Sequence, residues 1–189
     1  MPTRRGFDIQ ALALLSQALE VAEEQVSEHF QLSGASWSRY PYEVRTLAEL
    51  MPREVSRQAL AQVLKLRRPP LAGGSLRAKD FFRICLQDHN LLSLIRREGN
   101  AGLLLPLLTY VLAHELVHVV RFYRHEHLFE AEARERAAEE MRVHEITCKI
   151  LQRTPLPRLA EVINLYAVHR AGLSGPGWCC ATEDDNAHL

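Results

Sequence analysis

Apolar residues recur every three or four positions over residues 8–31, with Gln, Glu and Ser between them. This spacing puts the apolar side chains on one face of a helix. The same period predicts a helix over residues 159–169, and the Ala, Glu, Arg and Met content of residues 129–152 favours another. We expect two further helices, a short one over residues 90–97 and a longer one over residues 52–66, whose proline suits a first turn.

A period of two predicts one clear strand at residues 80–87, where apolar and polar side chains alternate. Residues 37–44 are rich in aromatic side chains, but Pro41 restricts this segment to an edge strand or an extended loop. The pattern as a whole therefore predicts a mainly α (α+β) fold.

The stretch Leu103 to Tyr123 is apolar on nearly every side when it is drawn as a helix, so we expect it to be buried. It contains the sequence H-E-x-x-H, from His114 to His118. Residues four apart on a helix share a face, with Cβ atoms about 5–6 Å apart. Two imidazoles at this spacing can bind one metal ion, at about 2.0–2.1 Å in the case of zinc. Glu115 does not bind the metal in this arrangement but can take a proton from the attacking water.

The motif on its helix resembles the zincin metallopeptidases, over roughly residues 81–150 and specifically only in the five motif residues. The gluzincin branch, whose third ligand is a downstream glutamate, fits better than the metzincin branch. Metzincins have a glycine and a third histidine where this chain has Arg121 and Arg124. The resemblance implies Zn²⁺ as cofactor, Glu115 as general base and a peptide or protein substrate. It also implies a helical zincin-like domain with a small, short-stranded antiparallel sheet beside the active-site helix.

A catalytic zinc site needs a third protein ligand and one open position. If the chain turns near residues 125–128, the middle of the helix predicted at 129–152 lies beside His118. Glu145 overshoots this middle by roughly 15 Å at 1.5 Å per residue. Glu140 needs less adjustment and shares a helix face with a second polar residue, so we rank it first. The alternates, in order, are His144, Glu139 and Glu145.

Two functions of different classes fit these residues. The first is a zinc-dependent metallohydrolase, specifically a peptidase, which hydrolyses peptide bonds with Glu115 as general base. Such an enzyme also needs a donor to the oxyanion. The candidates are Tyr123, His144, Tyr166 and His169. The second function is a non-catalytic binding or regulatory module with a structural or vestigial metal, and a fourth ligand such as Cys179 or Cys180 would close its site.

Length and composition indicate the number of domains, the class of partner and the cellular compartment that we expect. The length of 189 residues suits one domain, which we place at residues 1–172, with a tail at 173–189 that we expect to be mobile. The formal net charge of zero gives no reason to expect nucleic acid as a partner. The four cysteines form no C-x-x-C pair and no signal peptide is recognisable, so we expect a cytoplasmic protein.

The apolar run at residues 101–120 is about as long as a membrane span. It contains Pro106 and the polar motif residues, and no second run of this kind accompanies it. We therefore expect a core helix and no membrane span.

Overall fold

The computed structural model describes residues 6–33, 36–68, 79–126 and 132–172, with the backbone alone at residues 36, 68, 79, 133 and 166–172. In that part of the chain the helices are α1 (Ile9–Phe30), α2 (Asp88–Glu98), α3 (Leu104–Tyr123), α4 (Ala133–Leu151) and α5 (Leu159–Gly172). The strands are β1 (Tyr42–Arg45), β2 (Ala61–Arg68) and β3 (Lys79–Leu86). This content confirms the mainly α (α+β) class. The tail predicted at 173–189 lies outside the described residues.

The three strands form one mixed sheet in the order β1-β3-β2. Strand β2 pairs with β3 in antiparallel fashion but β1 pairs with β3 in parallel, so the sheet is mixed and not the antiparallel sheet that was expected. The parallel pair arises because the connection from β1 to β2 crosses the carboxyl end of β3. Asp88 Oδ1 accepts the Leu47 N–H at 3.1 Å, and Gln87 Oε1 accepts the Ser56 N–H at 3.0 Å, so the residues after β3 hold this crossing in place.

The prediction of a helix over residues 52–66 is wrong. Pro52–Glu54 does form a single 3-10 turn, but β2 starts at Ala61 and pairs along its length with β3. Val63 on this strand is fully buried, whereas the neighbouring Gln62 is only partly so. Pairing with a distant strand thus overrides the local helix signals, because strand formation depends on partners that a local pattern does not contain.

Helix α3 is the centre of the core, with α1, α2, α4, α5 and β2 packed around it. The face of α1 that packs inward consists of Ala11, Leu15, Ala18, Ala22 and Val26. The small alanines of α1 let the backbones of α1 and α3 approach each other closely. Every residue of α3 from Pro106 to Phe122 is buried, which explains why this helix is apolar on nearly all sides.

By length and composition, Ala101–Tyr123 is long and apolar enough to cross a membrane. Its most apolar 18-residue segment is 94% buried inside the fold, and the core helix of a soluble protein is buried in the same way. The absence of a membrane span stays a prediction.

Candidate metal centre

Helix α3 carries the two motif histidines, and specific residues determine where it starts and where it ends. Pro106 lies in its first turn, where the missing N–H breaks no helical hydrogen bond. His125, just beyond the helix, takes a left-handed conformation with φ 55°. Its N–H donates to the Phe122 carbonyl at 3.1 Å, and the Glu126 N–H donates to the Arg121 carbonyl at 3.0 Å. These two bonds satisfy the last carbonyls and end the helix.

Glu140 of α4 faces both histidines. Its Oε2 lies 3.4 Å from His114 Nε2, and its Oε1 lies 3.2 Å from His118 Nε2. One ligand atom from each of the three residues lies within 4.8 Å of the other two. The structure therefore brings the first-ranked carboxylate beside the H-E-x-x-H pair, whereas its role as a ligand stays a prediction.

The antiparallel course of α3 and α4 produces this meeting. Arg121, near the end of α3, contacts Glu139 early on α4, and Tyr110, near the start of α3, contacts His144 farther along α4. Glu140 lies between these two contacts. A return of the chain after the motif helix was the basis for ranking this residue first, and the contacts run in the expected direction.

Aromatic rings enclose the histidines. The ring of His118 stacks on Phe122 with centroids 5.8 Å apart, and the ring of His114 stacks on Tyr110 at 6.2 Å. The histidine side chains are only 5% and 1% exposed, and that of Glu140 is 23% exposed. The site is thus open to solvent mainly on the side of α4.

Burial and charge act together on the proton equilibria of these side chains. Burial alone would lower the pKa of His118, but the adjacent Glu140 carboxylate outweighs it and raises that pKa. Burial would also raise the pKa of Glu140, yet His118 and His114 hold it well below its usual range. Glu140 is therefore ionised at neutral pH, as a carboxylate ligand must be.

Glu115 is 2% exposed and lies close enough to its neighbours to alter their proton affinity. Its charge contributes to the raised pKa of His118 and, on β3, to that of Cys85. Burial is the main cause for Cys85 and raises its pKa to about 12, so this thiol stays protonated and is a poor ligand or nucleophile. Glu115 thus lies near both His118 on α3 and Cys85 on β3.

Glu139, one of the alternates, is engaged in an ion pair. Arg121 Nε donates to Glu139 Oε1 at 2.5 Å and Arg121 Nη2 donates to Glu139 Oε2 at 3.0 Å. Arg121 Nη1 also reaches Glu126 Oε2 at 2.6 Å. The buried carboxylate of Glu139 is therefore explained by the buried Arg121 of α3, for which the sequence alone indicated no partner. Its signal was the single arginine or lysine of a largely apolar helix, three residues after His118.

His144, which was ranked next after Glu140, lies beside His114, His118 and Glu140. It is not part of this group of three possible ligands. Tyr110 Oη is 2.5 Å from His144 Nδ1, and Cys148 Sγ is 3.6 Å from His144 Nε2. The tyrosine that stacks on His114 is therefore also hydrogen-bonded to His144. Glu145, the last alternate, is exposed.

The four candidate oxyanion donors fall into three groups. The Tyr123 hydroxyl donates to the backbone carbonyls of Pro41 and Asp80, at 2.8 and 3.1 Å, so it serves to fix α3 against the sheet. His144 is the described candidate near the three residues, and its ring nitrogens contact Tyr110 Oη and Cys148 Sγ. The side chains of Tyr166 and His169 lie outside the described residues, as do Cys179 and Cys180.

Comparison of the chain with protein-family models, with curated proteins and with solved structures gives no match. The residues of the site are therefore the only guide to the function of this chain.

The residues present fit a zinc ion. Two imidazole nitrogens and one carboxylate oxygen are a ligand set that catalytic zinc takes in proteins. Both ring nitrogens of His118 are buried, and neither makes a well-aligned hydrogen bond within the described chain. A cation at Nε2 would satisfy one of them and would also balance the charge of the Glu140 carboxylate, whose Oε1 lies 3.2 Å from Nε2.

Proposed function

We propose that this protein is a zinc-dependent metallohydrolase of gluzincin-like type, with His114, His118 and Glu140 as ligands. The observation that carries the proposal is the approach of Glu140 to both histidines of an H-E-x-x-H helix, at 3.4 and 3.2 Å. If the H-E-x-x-H sequence occurred by chance in a core helix, there would be no reason for a carboxylate from another helix to face both histidines. Zinc is also the metal that this ligand set favours.

Zinc, when bound, supplies Lewis acidity that polarises a carbonyl and acidifies water. The protein's own groups do the rest. A carboxylate oxygen of Glu115 accepts a proton from the attacking water, and Glu115 then gives that proton to the nitrogen of the departing amine. His144, held at Nδ1 by the Tyr110 hydroxyl, would donate a hydrogen bond from Nε2 to the developing oxyanion, and Nε2 would then leave its contact with Cys148 Sγ.

The substrate class that we propose is a peptide or protein, in line with the zincin resemblance. We place the reaction in the cytoplasm and without nucleic acid, because the cysteine pattern and the zero net charge favour that setting.

A structural metal in a non-catalytic module is the second candidate. The deep burial of both histidines favours it, because structural sites are closed to solvent. Against it, among the described residues only three side chains converge as donors, which leaves a fourth position for water.

Hydrolysis of casein and of a mixed peptide library tests the two candidates directly. We expect activity that a chelator abolishes and that zinc restores. Zinc-loaded, folded protein without hydrolysis of any substrate would favour the structural metal.

A further inference from the structure

We infer that Arg121 is a positioning residue for the metal centre, which sets the rotation and register of α4 so that Glu140 faces the histidines. This inference rests on the proposed function, since it gives Glu140 the role of ligand. Arg121 itself touches neither metal nor substrate.

The first part of α4 has little apolar packing to hold it. Of residues 134–142, all with described side chains, only Glu139 is buried. Buried apolar contacts on α4 start at Val143 and continue at Ile150 and Leu151. The turns that carry Glu140 therefore depend on polar contacts to lie against α3.

The contact between Arg121 and Glu139 is one of these and is bidentate. Both residues are buried, at 5% and 4% exposure, and two parallel N–H···O bonds of 2.5 and 3.0 Å join them. A forked pair of this kind fixes orientation as well as distance, because the guanidinium plane must match the carboxylate plane.

Glu139 and Glu140 are consecutive, so their side chains leave the helix about 100° apart at 3.6 residues per turn. Once the fork fixes the direction of Glu139, the direction of Glu140 follows. Arg121 lies three residues after His118 on α3, so the same helix carries both the histidine and the anchor that aligns its carboxylate partner.

The remaining nitrogen of the Arg121 guanidinium, Nη1, contacts the turn that follows α3. Arg121 Nη1 donates to Glu126 at 2.6 Å, beyond the end of α3. One side chain thus ties the motif helix, the residues that follow it and α4 together. Buried ion pairs of this type contribute little net stability, and a unique arrangement is the role we assign to this one.

The experiment compares Arg121→Lys with Arg83→Lys. Lysine keeps the charge but cannot form the fork. Arg83 is the matched control because it also bridges two glutamates, Glu43 at 2.6 Å and Glu54 at 2.8 Å, but on β3. Glu139→Gln is the second variant, which keeps the shape of the side chain and removes its charge.

Zinc affinity is measured for each purified, folded variant by competition with a chromophoric chelator, alongside its free energy of unfolding. We expect Arg121→Lys and Glu139→Gln to bind zinc about 10- to 100-fold more weakly than wild type, as for other residues that orient ligands. Arg83→Lys should stay within about twofold, since its ion pair does not orient a ligand. In metal-free protein, amide hydrogen exchange over residues 136–142 should be faster in Arg121→Lys and unchanged over 147–151.

Wild-type affinity in folded Arg121→Lys would overturn this inference and leave the proposed function intact. An equal loss of affinity in Arg83→Lys would also overturn it, because the effect would then follow general stability. Wild-type protein without zinc affinity would overturn the proposed function itself. If Arg121→Lys does not fold, Glu139→Gln and the paired Arg121→Met/Glu139→Met variant, which leaves no buried charge unpaired, decide the question by the same affinity criterion.

Discussion

Glu115 is assigned the chemistry of the reaction and no part in metal binding. Glu115→Gln keeps the size of this buried side chain and removes the base, so we expect retained zinc and fold. Hydrolysis should fall by about 10²- to 10⁴-fold, the usual contribution of a general base. Steady-state kinetics with elemental analysis of the same sample checks both parts. Zinc lost together with activity would mean that Glu115 is a ligand.

Glu140 is assigned metal binding, and α4 supplies its own control. We expect Glu140→Ala to weaken zinc binding by more than about 100-fold, beyond what the loss of an orienting residue causes. Glu145→Ala, at an exposed position on the same helix, should bind zinc like wild type. Isothermal titration of both variants makes the comparison. Equal affinities in the two would remove Glu140 from the site.

At the scale of residues, the sequence predicts the histidine pair and Glu115 because helix geometry alone puts positions 114 and 118 on one face. Glu140 could be ranked first because an antiparallel return limits which part of the next helix lies beside His118. Arg121 could not be assigned, since a charge in an apolar helix acquires a role only when its partner is known. That partner, Glu139, was instead counted among the alternate ligands.

At the scale of elements, the helices with a clear apolar period were predicted to within a few residues. Strand β3 was predicted by its alternation. Strand β2 was missed because Pro52 does start a turn, and the residues after it are paired by a strand more than ten residues away. The parallel β1–β3 pair was missed for the same reason: the crossing of residues 46–60 depends on side chains that follow β3.

Gln87 should therefore be important to the sheet. It is fully buried, accepts the Ser56 N–H at 3.0 Å and donates to the Glu54 carbonyl at 2.9 Å. Gln87→Leu leaves both backbone groups without this partner, at a cost of about 1–3 kcal/mol for each. We expect the free energy of unfolding in urea to fall by about 2–5 kcal/mol.

Gln62→Leu, on the partly exposed face of β2, is the control for that change and should alter the same free energy by less than about 0.5 kcal/mol. Equal stabilities for the two variants would contradict the role of Gln87 in holding the crossing.

At the scale of the whole molecule, metal binding and folding should be linked, because the ligands come from two helices that meet only in the folded chain. Zinc at 100 times its dissociation constant should stabilise the fold by about 2.7 kcal/mol. For a chain of this length, that corresponds to a rise in Tm of about 5–11 °C. Calorimetry of metal-free protein with added zinc checks this. A similar rise in Glu140→Ala would show that zinc binds elsewhere.

The zinc content of the purified protein tests the central claim most directly. Elemental analysis of wild type and of His114→Ala, purified in parallel without added metal or chelator, is sufficient. The site described above predicts about one zinc per chain in wild type and a content near zero in His114→Ala, because three ligands are needed for a catalytic zinc. The same near-zero content in both proteins would contradict the claim and reduce His114, His118 and Glu140 to a buried polar cluster.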